Sequence, residues 1–238
     1  MPDALWRSDP PRWFNSRTDH DHDSERARMV EQQLVPRGIE DQRVLDAMRR
    51  VPRHLFVEPS AEPYAYEDHP MPIGDGQTIS QPYIVALMLQ AARIGPEDVV
   101  LDVGTGSGYA AAVASLLAHR VVSIERHPGL AVGAAATLDA LGYRVEVVTG
   151  DGTLGWPSGA PYDVILAAAT GPAVPGAWRA QLAPGGRVVM PVGRPGGAQH
   201  LAAFTRGDDG SLHETNLGGV AFVPLLGEQG WPVRPPRD

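Results

Sequence analysis

The second half of the chain predicts an α/β fold, a mostly parallel sheet with helices on both faces, and three observations carry that reading. Apolar, β-branched runs alternate with alanine- and leucine-rich helical stretches from residue 97 onward. The first run leads directly into a glycine-rich turn, "VVLDVGTGSGYAAAVASLLA". At 238 residues the chain is long enough to bury a single core of this kind without staples.

Taken in order, residues 1–24 read as a flexible arm: Pro10-Pro11 and the run Asp19-His20-Asp21-His22-Asp23 show no apolar period. His20 and His22 are treated as solvated side chains, and no metal site is expected from them. Trp6, Trp13 and Phe14 are scattered aromatics of the same arm. From Ser24, Met29, Val30, Gln33 and Leu34 mark one helix face, and Val44, Leu45 and Met48 mark a second short helix over 41–48. Pro52, Pro59, Pro63, Pro70 and Pro72 break the chain up to Gly76. A helix restarts at Gln81 or Pro82 with the stripe Val85, Met88 and Leu89, and the plain reading of Ser80 is its N-cap. Residues 25–80 thus form a helical and loop-rich cap, and 81–238 the core with its C-terminal strands.

Within the core, "VVLDV", "RVVSIE", "RVEVVTG", "YDVILAAA" and "RVVMPVG" are strands, and "PGAWRAQLAPGG" is a short helix closed by glycines. "HLAAFTR" and "GGVAFVPLL" complete seven strands as antiparallel neighbours at the end of the sheet. The crossovers between parallel strands are expected to be right-handed.

Composition narrows the chemistry. The net charge of −8 gives no general attraction to nucleic acid or anionic lipid, so neither is expected as a partner. The absence of cysteine removes disulfides, thiolate metal sites and thiol nucleophiles, and favours the cytoplasm. No apolar stretch has the length of a membrane span, and the first residues lack the apolar core of a signal peptide.

The glycines Gly104, Gly106 and Gly108 separate a strand from a helix in a G-x-G-x-G pattern, not the G-x-G-x-x-G of dinucleotide folds. Neither does a Lys-Ser/Thr pair follow, so a pyrophosphate is not the expected guest. Glu125 ends the next strand, 21 residues after Gly104, where a carboxylate can accept from both hydroxyls of a ribose. Asp151 ends the third strand and is placed to accept from the amine of adenine, and Asp102 either holds the glycine turn or meets the amino-acid end of the ligand. Each residue alone has a bland explanation. Together, at three successive strand ends, they point to S-adenosylmethionine.

The segments "ERARMVEQQL", "RGIEDQRVLDAMRRVPRHLFV", "AYEDHPMPIGDGQTISQPYIVALM", "VLDVGTGSGYAAAVAS", "SIER", "GDGTLGWP" and "FVPLLG" resemble the bacterial protein-L-isoaspartate O-methyltransferases over about residues 25–228. The resemblance implies a Rossmann-like class I methyltransferase with rearranged final strands, S-adenosylmethionine as cofactor and S-adenosylhomocysteine as product. It implies methylation of the α-carboxylate of L-isoaspartyl residues, leading through a succinimide to repair, by a monomer. It assigns Ser80 of the "TIS" segment to the acceptor carboxylate, as catalytic and substrate-binding residue. Thr78 and Ile79 join Asp102, Gly104, Thr105, Gly106, Gly108, Glu125, Arg126, Asp151 and Gly152 as the cofactor set. Val223, Pro224 and Leu225 would line the peptide groove. Ala221 stands where bacterial members commonly carry Arg, and Asp75 where they often carry His, so the groove rim is altered. That alteration supports an alternative, a specialised homologue methylating an aspartate of a dedicated, ribosomally made peptide. A binding module that has lost catalysis is a third reading, disfavoured by the joint presence of Ser80, Glu125, Asp151 and the loop glycines. A carboxylate acceptor is already ionised at neutral pH, so neither His54 nor His69 is needed as a base.

Overall fold

The computed structural model describes residues 18–232, with side chains from residue 22 onward. Trp6, Trp13, Phe14 and the side chain of His20 lie outside that range. The cap opens with α1 (Thr18–Met29), a π-helical turn over Val30–Leu34 and a single 3₁₀ turn ending at Gly38. Next comes α2 (Gln42–Arg50), whose N-cap Asp41 accepts from the backbone N–H groups of Arg43 and Val44. Two 3₁₀ turns (Arg53–Phe56 and Pro59–Tyr64) lead to the hairpin β1 (Met71–Gly74) and β2 (Gln77–Ile79), and then to α3 (Pro82–Ala92). The core follows as β3 (Val99–Val103), α4 (Tyr109–Ser115), β4 (Arg120–Glu125), α5 (Pro128–Ala140), β5 (Glu146–Thr149), β6 (Tyr162–Ala167) and α6 (Gly176–Gln181). It ends with β7 (Leu182–Gly193), β8 (Gln199–Arg206) and β9 (Leu212–Gly219).

The seven strands lie in the order β5-β4-β3-β6-β7-β8-β9. The first five are parallel, and β8 and β9 add as consecutive antiparallel neighbours. The pleat sends neighbouring residues to opposite faces: Val100, Val121, Val164 and Val189 join the core beneath the cap and α3–α4, whereas Leu101, Val122, Ile165 and Val188 join the core against Trp178 of α6. Both faces are covered, which accounts for the unbroken apolar runs. Each such fully buried aliphatic side chain is worth roughly 1.5–3 kcal/mol relative to exposure.

Four expectations are corrected. The arm does not extend to residue 24, because α1 begins at Thr18. His22 is buried there, its ring stacked on His54 at 3.9 Å and bonded to Glu25 (3.1 Å) and Glu62 (2.9 Å). This start is held by ring stacking and ion pairs, so it leaves no apolar period. Second, the stretch up to Gly76 is not all loop: the β1–β2 hairpin carries Thr78 and Ile79 on its second strand. Third, the glycines after α6 do not close it. β7 starts at once at Leu182, and the register jumps from Tyr162↔Leu182 to Val164↔Arg187, so residues 183–186 bulge from the strand. Fourth, "GGVAFVPLL" is not the last strand. That strand is β9, which has no fully buried residue and only Leu212 and Leu217 half-buried against the cores, and so lacks an alternating apolar signal. The apolar stretch after it forms a strap that lines the site.

Candidate functional site

The carboxyl ends of β3, β4 and β5 bring the glycine turn, Glu125 and Asp151 to one edge of the sheet. Glu125 is only 4% exposed; its Oε2 accepts from the backbone N–H of Gly106 and its Oε1 from that of His127, both at 2.9 Å. These bonds aim the carboxylate into a narrow cleft lined by Gly104, Gly106, Ile124, Arg126, Gly152 and the strap residues Pro224–Leu226. Gly106 has φ +54, and an added Cβ there would lie 3.1 Å from Ile73. Gly108 faces away from the cleft: a Cβ would press on Leu138 of α5 at 3.2 Å, so this glycine lets helix and turn approach.

Behind the turn, Thr105 Oγ1 and Ser123 Oγ lie 2.6 Å apart, and Ser123 donates to Asp102 Oδ2 at 2.6 Å. Burial pushes Asp102 up to about 7, against the Ser123 hydrogen bond and with the charge of Glu125 adding to the rise. Of the two roles open to Asp102, the observed bond is the one that holds the turn.

Asp151 caps a 3₁₀ turn: Oδ1 accepts from Thr153 N (2.9 Å) and Thr153 Oγ1 (2.7 Å), and Oδ2 from Glu228 N (2.8 Å). Burial works to raise its pKa, but the Thr153 and Glu228 bonds and the Arg126 charge outweigh it and hold the group below the ordinary carboxylate value. Arg126 donates to the Leu226 carbonyl at 2.8 Å. Arg126 lines Glu125's cleft, Asp151 lines a neighbouring hollow beside Gly227 and Glu228, and both residues also pin the strap.

A wider groove of about 760 Å³ adjoins this cleft and shares Thr78, Ala168 and Val223 with it. Ser80 lines the groove. It does not cap α3, whose N-cap is Gln81 with no side-chain cap bond. Asp68 fixes the chain here, accepting from Gln81 Nε2 (2.6 Å) and Tyr83 N (3.3 Å). Of the expected peptide-lining residues, Val223 reaches both spaces, whereas Pro224 and Leu225 line only the narrow cleft. Ile79 is buried in the core and lines neither, and Thr105 is held inside by Ser123. Exposed Ala221 borders the groove, and Asp75, with φ +49, lies at the hairpin tip.

His54 is buried with Nδ1 2.8 Å from the Tyr66 hydroxyl, and His69 is exposed beside Glu67. Sequence reasoning passed over Arg53, which is fully buried, donates to the Ala65 carbonyl and lies 4.8 Å over the Tyr109 ring. Burial lowers its pKa to about 10, and it ties the cap to the first residue of α4. It also passed over Thr170 and Gln199, which hold the strap and carry no motif in the sequence.

This arrangement defines a class: a Rossmann-like, S-adenosylmethionine-dependent methyltransferase, with a narrow cleft at the strand ends and an open groove beside it. A model of the protein-L-isoaspartate(D-aspartate) O-methyltransferase family matches residues 24–230. The chain is 58% identical over 208 residues to protein-L-isoaspartate O-methyltransferase 2 of Marinobacter nauticus, covering 87% of this chain and 95% of that one. It is 56% identical over 207 residues to protein-L-isoaspartate O-methyltransferase 1 of Syntrophobacter fumaroxidans, covering 87% and 96%. Among solved structures, a protein-L-isoaspartate O-methyltransferase is similar with a TM-score of 0.77 and 29% identity, over 87% of this chain and 67% of that chain. A Plasmodium falciparum structure in complex with S-adenosyl-L-homocysteine shares the fold at a TM-score of 0.71 and 24% identity, over 83% and 96%. The chain belongs to the protein-L-isoaspartate O-methyltransferase family, and its reaction is the S-adenosylmethionine-dependent methylation of L-isoaspartyl residues in proteins.

The residues present fit the cofactor. A buried carboxylate whose two oxygens each already take one backbone N–H retains lone pairs for a ribose diol, and the glycine turn leaves backbone free for close approach. Among the described residues no helix is long and apolar enough to cross a membrane.

Proposed function

We propose that Ser80 holds the acceptor carboxylate at the junction of groove and cleft, while Glu125 holds the ribose and Asp151 the adenine amine. The observation that carries this reading is the position of Ser80: it lines the groove together with Thr78, which borders both spaces, and its hydroxyl is not consumed in capping α3. When bound, S-adenosylmethionine supplies an electrophilic methyl group on a sulfonium. The chain's own task is orientation. Ser80 Oγ–H donates to one oxygen of an isoaspartyl α-carboxylate and leaves the other to face the cleft, and Thr78 and Val223 close the junction against water. No proton is removed, so no residue is asked to act as a base.

Arg126, Gly104, Gly106 and Gly152 complete the cofactor set as lining, whereas Gly108, Thr105, Ile79 and Asp102 act through the shape of the turn and hairpin. The acceptor is a flexible peptide segment of many damaged proteins. Beside Thr78, Ser80, Gln81 and Gln199, the groove is lined by small or apolar residues, Gly197, Ala198, Gly219 and Val220 among them, which suits sequence-tolerant recognition. The protein works in the cytoplasm without nucleic-acid or membrane partners, a reading supported by its charge of −8 and lack of cysteine, and as a monomer, a reading supported by the family resemblance alone. The test is transfer of labelled methyl to matched peptides with L-isoaspartate or L-aspartate at one position. Transfer to the isoaspartyl peptide alone is expected. Transfer to neither, with the cofactor bound, would direct attention to a dedicated peptide.

A further inference from the structure

Two walls of the acceptor groove lie outside the nine strands: the turn joining β7 to β8, and the strap that follows β9. One side chain touches both. Gln199, the first residue of β8, accepts from the backbone N–H of Phe222 through Oε1 at 2.7 Å and donates through Nε2 to the Phe222 carbonyl at 3.2 Å. The same Nε2 lies 3.4 Å from the carbonyl of Arg194 in the β7–β8 turn. Its own backbone carbonyl accepts from Val220 N at 3.1 Å. The strap therefore meets the Gln199 backbone at Val220 and its carboxamide two residues later at Phe222. The side chain reproduces the paired bonds that a further residue of an antiparallel strand would make.

Beyond Phe222 the hold passes to Thr170, which donates its N–H to Val223 O and accepts from Leu225 N, both at 2.8 Å. The division is clean along the strap. Thr170 secures the part that borders the narrow cleft, and Gln199 secures the part that borders only the groove.

We propose that Gln199 is a positioning residue for the acceptor, setting the separation of strap and turn opposite Ser80 while leaving the cofactor side to Thr170 and Asp151. The proposal rests on the groove's being the peptide site. Its test compares wild type with Gln199→Met, which keeps length and loses both polar atoms, and Gln199→Glu, which keeps the acceptor for Phe222 N–H. The measurements are steady-state methylation of an isoaspartyl hexapeptide, binding of S-adenosylhomocysteine by calorimetry, and backbone amide exchange by NMR.

For Gln199→Met the peptide KM should rise about tenfold, as for the loss of two ordinary hydrogen bonds. Both kcat and the S-adenosylhomocysteine Kd should stay within about twofold of wild type. Exchange should accelerate at Phe222 and not at Leu225, and Gln199→Glu should restore protection at Phe222. An unchanged KM in Gln199→Met would overturn the proposal. So would a parallel loss of peptide and cofactor affinity, which marks a merely structural residue. A wild type that binds cofactor but methylates no isoaspartyl peptide would remove the acceptor reading itself, and this assignment with it.

Discussion

The two halves of the site are built on opposite plans. The cofactor half stands on the ends of consecutive parallel strands, and its central carboxylate, Glu125, is fixed by backbone N–H groups from the adjoining turns. The acceptor half is assembled from a short hairpin, the residue after it, and a strap pinned by the Gln199 side chain and the Thr170 backbone, both far away in sequence. On the proposed assignment, recognition of one invariant nucleoside falls to strand ends of the parallel sheet, whereas recognition of varied peptides falls to segments held by a few hydrogen bonds.

The sharpest way to break this contrast is Glu125→Ala. It removes the proposed ribose acceptor and orphans the N–H groups of Gly106 and His127, so the cofactor Kd should rise at least about a hundredfold by calorimetry. A rise below tenfold would mean that the rigid half does not depend on its carboxylate. Ser80→Ala tests the other half. It should lower kcat/KM for an isoaspartyl peptide by roughly ten- to a hundredfold, with cofactor affinity within about twofold. Loss of both together would merge the halves that the geometry separates.

A smaller effect concerns the turn behind Glu125. Asp102 is held at about 7 against 3.8 unperturbed, so the folded state keeps its proton more tightly than the unfolded chain. The resulting stability is fully present below pH 4 and is lost as pH rises towards and through 7. Asp102→Asn, which can still accept from Ser123, should lack this loss; its melting temperature at pH 8 relative to pH 5 should exceed that of wild type by on the order of 5 °C. Parallel curves for the two proteins would show that Asp102 titrates normally.

The smallest effect is expected in the cap. Burial lowers the pKa of His22, but the hydrogen bonds to Glu62 and Glu25 more than offset it and leave the pKa raised above 6.5. The stability it adds is present below 6.5 and disappears as pH climbs through the folded value. His22→Gln should therefore melt about 1–2 °C lower than wild type at pH 5.5 and match it at pH 9. Equal melting at both values would reduce the ion pairs to surface contacts.

What was legible in the sequence follows the same division. The order of parallel strands, the glycine turn, Glu125 and Asp151 were readable because strand ends and turns are local features with a fixed spacing. The end of the sheet was misread, since β9 shows no buried face and the strap after it is apolar on account of the clefts it lines. Gln199, Thr170 and Arg53 were invisible because their work is done on residues 23, 53 and 12 positions away, through bonds that no local pattern records. The start of α1 was hidden likewise, its anchor Glu62 lying 40 residues from His22.

The strap has a consequence for how the molecule comes into being. It lies C-terminal to every strand of the sheet, yet it lines the groove with Thr78 and Ser80 and the cleft with Glu125, so both spaces are completed only when residues 220–226 dock against the sheet. A chain whose strap is undocked has neither the finished cleft nor the finished groove, whatever the state of its parallel strands.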